Sequence, residues 1–230
     1  VEDPKLAKGL VKREVIRVVT PGTITSVQAL DETKNNYLMA VVYTGNNYGI
    51  ATVDITTGDF FVTEVTSERA LLDEINKFTP SELVCNEALF MSGLDMDELK
   101  ERYHFAVTAL ENRFFSDDDC RKILKEHFHV MSLEGLGLGD YENGMIASGA
   151  VLQYLYETQK NDLSHLTKIT PYTTGQFMMI DTSTRRNLEL VETLREKQKR
   201  GSLLWVLDKT KTAMGARLLR SFIEQPLIDK

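Results

Sequence analysis

The sequence predicts an α/β unit with a mixed β-sheet flanked by helices, followed by an all-α region. The first observation is a series of β-rich runs separated by short polar turns in the first third of the chain. The second is a change to helical periodicity, interrupted by short apolar runs. The third is that only helical patterns follow residue 181. This order of elements favours one sheet with helices packed against it.

The β-rich runs are predicted to form an antiparallel meander, because short polar turns between β-branched and aromatic runs are typical of hairpins. An earlier strand is predicted at 13–20, directly before a Pro-Gly turn at 21–22. The meander strands are "YLMAVVYT" (37–44), "YGIATVDI" (48–55) and "FFVTEV" (60–65).

The helical patterns that follow alternate with strands. Ser116 and three aspartates, 117–119, form a strong start for one helix. Pro80 ends another. Helices are predicted at 67–78, 92–103, 116–128 and 142–160, and strands at 82–85 and 104–110. A meander followed by right-handed α-crossovers gives a mixed sheet, in the element order of ribonuclease-H-like and actin-like folds.

The region after residue 161 has a different character. Residues 168–181 are predicted to be an irregular, partly extended connection, and helices are predicted at 182–195, 202–209 and 212–224. Apolar residues nearly fill the helix around Leu204. We therefore expect this all-α part to be the beginning of a larger helical domain.

Composition and charge exclude several classes of protein. Hydrophobic residues make up 42% of the chain and no run approaches 18 apolar residues, so no membrane span is predicted. The N-terminus lacks the apolar core of a signal peptide. Cys85 and Cys120 have no paired spacing, which favours a reducing cytoplasm over a disulfide framework.

The charge is unevenly distributed along the chain. Residues 181–230 carry 11 Lys and Arg against 7 Asp and Glu, whereas 1–180 carry 16 against 27. The acidic part is therefore a poor candidate for sequence-independent DNA binding.

A metal-dependent nuclease is the alternative enzyme class, because the ribonuclease-H-like order invites one. Such an enzyme needs clustered carboxylates. The run 37–44, where the first would stand, contains none. The remaining candidates are Asp54, Asp59, Glu87 and the cluster 117–119, and turn chemistry is the ordinary explanation of aspartates at turns.

Nucleotide and metal sites lack a sequence signal. No G-x-x-x-x-G-K-[ST] loop occurs, and "GLGLGD" (135–140) has the wrong spacing. His127 and His129 are interpreted as exposed residues at a helix end. We expect no catalytic, cofactor or metal site in this chain.

Several long stretches resemble the MutS family of bacterial DNA mismatch-recognition ATPases, over essentially the whole chain. They are "REVIRVVTPGT" (13–23), "NNYLMAV" (35–41), "GIATVDITTGDF" (49–60), "MIDTSTRRNLEL" (179–190) and "GSLLWVLDKTKTAMGARLLRSFIEQPL" (201–227).

The resemblance implies a division of the chain. Residues 1–22 would be the tail of the mismatch-binding domain, 23–161 the ribonuclease-H-like connector, and 162–230 the start of the α-helical core. The family's mismatch-reading motif would precede this stretch and its ATP- and magnesium-binding loop would follow it. ATP hydrolysis and mismatch reading are therefore expected of the complete protein, a cytoplasmic homodimer in this reading, and not of these residues.

The resemblance also implies a MutL-type mismatch repair factor as partner, with mismatched DNA bound through the complete protein. Arg121, Lys122 and Lys125 form a basic stripe by their spacing on helix 116–128, and we interpret them as partner-binding. A plain solvated helix face is the alternative.

Arg185 and Arg186 lie near the start of a predicted helix, where the helix dipole disfavours positive charge. Arg185 and Glu189 are four residues apart, so the sequence predicts an ion pair between them. We interpret Arg185, Arg186 and Glu189 as structural contacts between domains, because a guanidinium suits carboxylate and carbonyl partners. Direct DNA contact by the arginines is the alternative.

Overall fold

The computed structural model describes residues 17–24, 34–45, 47–160, 163–175, 177–178, 180 and 182–228. Six strands form one mixed sheet in the order β5-β4-β1-β2-β3-β6. Their bounds are Tyr37–Thr44 (β1), Asn47–Asp54 (β2), Asp59–Val65 (β3), Glu82–Cys85 (β4), Ala106–Ala109 (β5) and Thr170–Pro171 (β6).

The meander prediction is confirmed, because β1, β2 and β3 pair antiparallel with their sequence neighbours. The strands β4 and β5 extend the sheet in parallel from β1, and β6 pairs in parallel with β3. The strand predicted at 13–20 is wrong over its described part, 17–20. There the backbone amide of Val18 bonds the carbonyl of Thr158, at the end of a helix, and not a neighbouring strand.

Among the described residues, five α-helices belong to this sheet region, which we define as residues 34–171. They are Glu68–Phe78 (α1), Glu87–Phe90 (α2), Met96–Tyr103 (α3), Asp117–Phe128 (α4) and Glu142–Gln159 (α5). The helix predicted at 92–103 begins later, because Asp95 caps α3 through the amides of Asp97 and Glu98. The other predicted helices are confirmed to within one residue.

The sheet is buried on both faces. Helices α4 and α5 cover one face, around Phe60, Val62 and Leu124. Helices α1 to α3 cover the other, around Ile50, Leu71 and Leu83. The predicted mixed sheet flanked by helices is therefore confirmed.

Three short helices form the helical region, residues 182–228: Thr182–Asn187 (α6), Leu203–Leu207 (α7) and Ala213–Glu224 (α8). The prediction of a helix over 182–195 is wrong beyond Asn187. Glu189 adopts φ +48°, and residues 189–190 accept backbone hydrogen bonds from Leu203 and Leu204. The region after 161, predicted as all-α, also contributes β6 to the sheet.

Packing differs between the two regions. Large apolar side chains of the helical region remain exposed, among them Trp205 at 48% and Phe222 at 64%. None of the helices in the described residues is long and apolar enough to cross a membrane.

Candidate functional site

The predicted basic stripe lies beside an open depression of about 470 Å³ between α4 and residues 131–145. Arg121 and Lys125 line this depression, whereas Lys122 does not. Its floor includes the buried side chains of Leu133, Leu138 and Met145. The structure therefore brings two of the three predicted residues to one concave surface, which we call the α4 depression.

Charges of both signs surround the α4 depression. The Arg121 Nε atom donates to Asp117 Oδ2 at 2.6 Å, and this hydrogen bond raises the pKa of the guanidinium. Glu134 and Glu142 also line the depression. Among the described residues Lys122 and Lys125 have no ion-pair partner. Within the predicted stripe, those two lysines are therefore the cations that are not already bound to a carboxylate.

The carboxylates considered for a nuclease lie apart or are already occupied. Asp54 is fully buried, and its oxygens accept from the Asn36 amide at 3.0 Å and from the Thr56 amide and hydroxyl at 2.8 and 2.7 Å. Glu87 is exposed at the start of α2. No three His, Cys, Asp or Glu side chains in the described part of the chain are grouped to hold a metal ion.

His127 is not the exposed helix-end residue that the sequence suggested. Its Nδ1 atom lies 2.8 Å from the Tyr156 hydroxyl, and its Nε2 atom lies 2.8 Å from the Leu166 carbonyl. Both ring nitrogens hold α4 against α5 and the segment that follows it. His127 is therefore a packing residue, whereas His129 is exposed at the helix end.

Glu82 anchors the segment that enters the sheet region, which we call the entry joint. This carboxylate is 1% exposed and accepts from the Thr20 hydroxyl at 2.5 Å, the Gly22 amide at 2.9 Å and the Tyr154 hydroxyl at 2.7 Å. Three donors compensate the desolvation of the buried charge. Residues 20–22 are thereby fixed to β4 and α5.

A second polar cluster connects α1 to residues 172–180, which we call the joining segment. Glu74 is 3% exposed and accepts from Lys77 at 3.2 Å and from the Tyr172 hydroxyl. The Asn76 side chain donates to the Ile180 carbonyl at 3.2 Å. These contacts tie the sheet region to the chain that leads into α6.

The predicted Arg185–Glu189 ion pair is wrong. Arg185 Nη1 lies 3.8 Å from Glu224 Oε1 in α8, and Glu189 accepts instead from the Leu194 amide. The pair is lost because α6 ends before Glu189. Arg186 is exposed. Arg185 also lines a small cleft with Asp73 and other residues of α1, so it lies at the boundary of the two regions.

Sequence reasoning missed the residues that form both joints. Glu82 offered a signal, because a carboxylate inside a short apolar strand between helices is unusual at a buried position. Lys77 offered only an i, i+3 spacing from Glu74, which is also the pattern of a solvated helix face.

Comparison with known proteins gives a consistent result along the chain. Family models described as MutS domain I, MutS domain II and MutS domain III match residues 1–28, 36–167 and 183–230, respectively. The DNA mismatch repair protein MutS of Lachnoclostridium phytofermentans is 67% identical over 228 residues, which is 99% of this chain and 24% of that protein.

Two further relatives carry the same name. The MutS proteins of Ruminiclostridium cellulolyticum and Acetivibrio thermocellus are 52% and 49% identical, each over 100% of this chain and 26% of their own length. The chain spans about a quarter of the curated relatives it matches.

Proposed function

This chain belongs to the MutS family of DNA mismatch repair proteins, and we propose that it links the mismatch-binding part of such a protein to its helical core and ATPase. One observation carries the proposal: the sheet region is joined to the segments on both sides of it by buried polar contacts. Glu82 holds the entering segment, and Glu74 holds the joining segment. A region attached in this way is suited to connect its neighbours mechanically.

The strand order supports a ribonuclease-H-like fold for the connector. An antiparallel meander of β1 to β3 is extended in parallel by β4 and β5 from the β1 side. We assign residues 23–161 to this connector, 1–22 to the tail of the mismatch-binding domain and 162–230 to the start of the core. Fold alone does not imply nuclease chemistry.

ATP and magnesium would then be bound by the complete protein, outside these residues, and mismatched DNA would be contacted by that protein as a cytoplasmic homodimer. Within this chain, Arg185 would stabilise the core near its boundary with the connector. Its ion pair with Glu224 and its position beside α1 support this role over direct DNA contact.

The connector would also dock the MutL-type repair factor at the α4 depression. A concave, largely polar surface with the unpaired Lys125 in its lining and Lys122 on the same helix suits a protein partner that carries carboxylates at its contact. Lys122 and Lys125 are the residues to test, because Arg121 is already bound to Asp117.

The test places Lys122→Glu and Lys125→Glu together in the intact protein that carries this chain. Recruitment of MutL to mismatched DNA is measured with ATP present, and we expect it to fall roughly tenfold or more, since reversing rim charges slows association.

The matched control is Lys100→Glu with Arg102→Glu, which makes the same charge change on α3, across the sheet from α4. The control should recruit MutL normally. Equal recruitment by both double variants, with folding and mismatch binding intact, would remove α4 from the interface and leave the linking role untouched.

A further inference from the structure

The Lys77 side chain lies in an enclosed cluster at the boundary between the sheet region and the joining segment. Its Nζ atom is 3.2 Å from Glu74 Oε2 and 3.9, 4.8 and 5.0 Å from the ring centres of Tyr172, Phe78 and Phe177. Only 11% of the side chain is exposed. We call these five residues the Lys77 cluster.

Two parts of the chain contribute residues to the Lys77 cluster. Glu74, Lys77 and Phe78 belong to α1, whereas Tyr172 and Phe177 belong to the joining segment. Tyr172 contributes a ring to the ammonium and a hydroxyl to the Glu74 carboxylate. If the joining segment moved away, the Lys77 ammonium would lose its contacts with the rings of Tyr172 and Phe177. The Glu74 carboxylate would lose the hydrogen bond from the Tyr172 hydroxyl, and the Phe78 ring of α1 would stay beside the ammonium.

Burial makes these contacts stronger than their surface equivalents. Desolvation lowers the pKa of Lys77, although the Glu74 carboxylate acts in the opposite direction. Cation–π contacts strengthen when the cation is desolvated. A buried ion pair that loses a hydrogen-bonding partner is destabilised, whereas an exposed pair is hardly affected.

The joining segment also contacts residues 226–227, which lie just after α8. The Met178 amide donates to the Pro226 carbonyl at 2.8 Å, and Phe177 forms an isolated antiparallel bridge with Leu227. The same short segment therefore contacts α1 mainly through its side chains, and it contacts residues 226–227 through its backbone.

We propose that the Lys77 cluster is a latch that makes α1 and residues 226–227, just after α8, move as one body. The proposal concerns the boundary of the two regions and does not depend on where MutL docks. In this arrangement a displacement of the helical region also displaces α1. Because Leu71 and Ile75 of α1 pack on the sheet, the displacement extends to that face of the sheet. The joining segment then acts as a rigid connection and not as a flexible tether.

The test compares amide hydrogen exchange in the 230-residue chain and in Lys77→Met, which keeps the aliphatic stem and removes the charge. We expect exchange at Met178 to accelerate at least tenfold, while amides in the centre of β1 keep the rate of the parent chain. Lys77→Arg, which keeps a cation over the rings, should restore slow exchange at Met178.

Lys100→Met is the matched control, because Lys100 pairs with Asp97 at the same i, i+3 spacing on an exposed surface. It should leave exchange at Met178 unchanged. Phe177→Leu removes one ring without leaving an unpaired charge, and it should also accelerate exchange at Met178, so the test does not depend on the folding of Lys77→Met. Parent-like exchange at Met178 in both Lys77→Met and Phe177→Leu would overturn the latch.

Discussion

Gly149 lies where α5 crosses α4, and the close approach of the two helices depends on the missing side chain. A Cβ atom at this position would lie 2.3 Å from Cys120 Cβ and 2.5 Å from Cys120 Cα. Carbon atoms in contact prefer about 3.5–4.0 Å, so Gly149→Ala requires α4 to move by roughly 1.5 Å. Part of the clash is with backbone, which cannot rotate away as a long side chain would.

Two effects of opposite sign decide the magnitude. Replacing a glycine inside a helix by alanine stabilises the folded state by about 1 kcal/mol. Overpacking a tight contact costs about 1–3 kcal/mol and occasionally more, and the backbone clash favours the upper end. We therefore expect Gly149→Ala to lower the free energy of unfolding by about 2 kcal/mol.

Urea unfolding followed by circular dichroism measures this difference, with Gly135→Ala as the control. A Cβ atom at Gly135 would meet nothing within 4 Å, and that residue lies in the 3₁₀ helix Leu133–Leu136. The control should match the parent or exceed it slightly. If Gly149→Ala unfolds at the same urea concentration as the parent or a higher one, helix propensity dominates and the inferred contact between α4 and α5 is wrong.

Two further predictions concern strain and burial. Thr79 ends α1 at φ +43° and is exposed, so Thr79→Gly should raise the free energy of unfolding by up to about 1 kcal/mol in urea titrations, whereas Thr79→Ala keeps the strain and should not. Burial raises the pKa of the Cys85 and Cys120 thiols to about 12, so neither should react with iodoacetamide at pH 8 until the chain unfolds. The pKa of a cysteine thiol in the unfolded chain is about 8.5. The contribution of the two thiols to the free energy of unfolding should therefore be complete below about pH 8.5 and should be lost as the pH rises towards 12. A Cys85→Ala and Cys120→Ala double variant should not show this part of the loss.

The sequence predicts the sheet region well because each signal there is local. The meander follows from alternating β-branched residues and short turns, and α1 begins at Ser67, whose hydroxyl accepts from the Ala70 amide. The helical region is predicted less well. The apolar pattern around Leu188 and Leu190 predicts that the helix continues. The helix nevertheless ends at Asn187, because residues 189–190 form backbone hydrogen bonds with Leu203 and Leu204, which are distant in sequence.

The candidate sites likewise include contacts that are local in sequence, which can be predicted, and contacts between distant residues, which cannot. The spacing on α4 predicts one stripe of three cations; Arg121 and Lys125 line the same depression, whereas Lys122 does not. The ion pair between Arg121 and Asp117, which makes Arg121 less available to a partner, is local, because the two residues are four positions apart. The joint at Glu82 depends on partners 60 to 72 positions away, and the joint at Lys77 depends on Tyr172, 95 positions away. No single-sequence pattern encodes such pairs.

Asp54 is a buried carboxylate at a strand end that joins several parts of the chain through hydrogen bonds. Asn36 donates its amide to Asp54 and its side chain to the Pro21 carbonyl at 3.0 Å, so the entering segment is connected to this carboxylate. On the other side, the Thr56 hydroxyl donates to Asp54 and accepts from Arg217 of α8 at 3.1 Å. A continuous series of hydrogen bonds thus runs from residue 21 to α8 through one buried carboxyl group. Asp54 at the end of β2 is therefore the point at which hydrogen bonds from the entering segment and from the helical region meet.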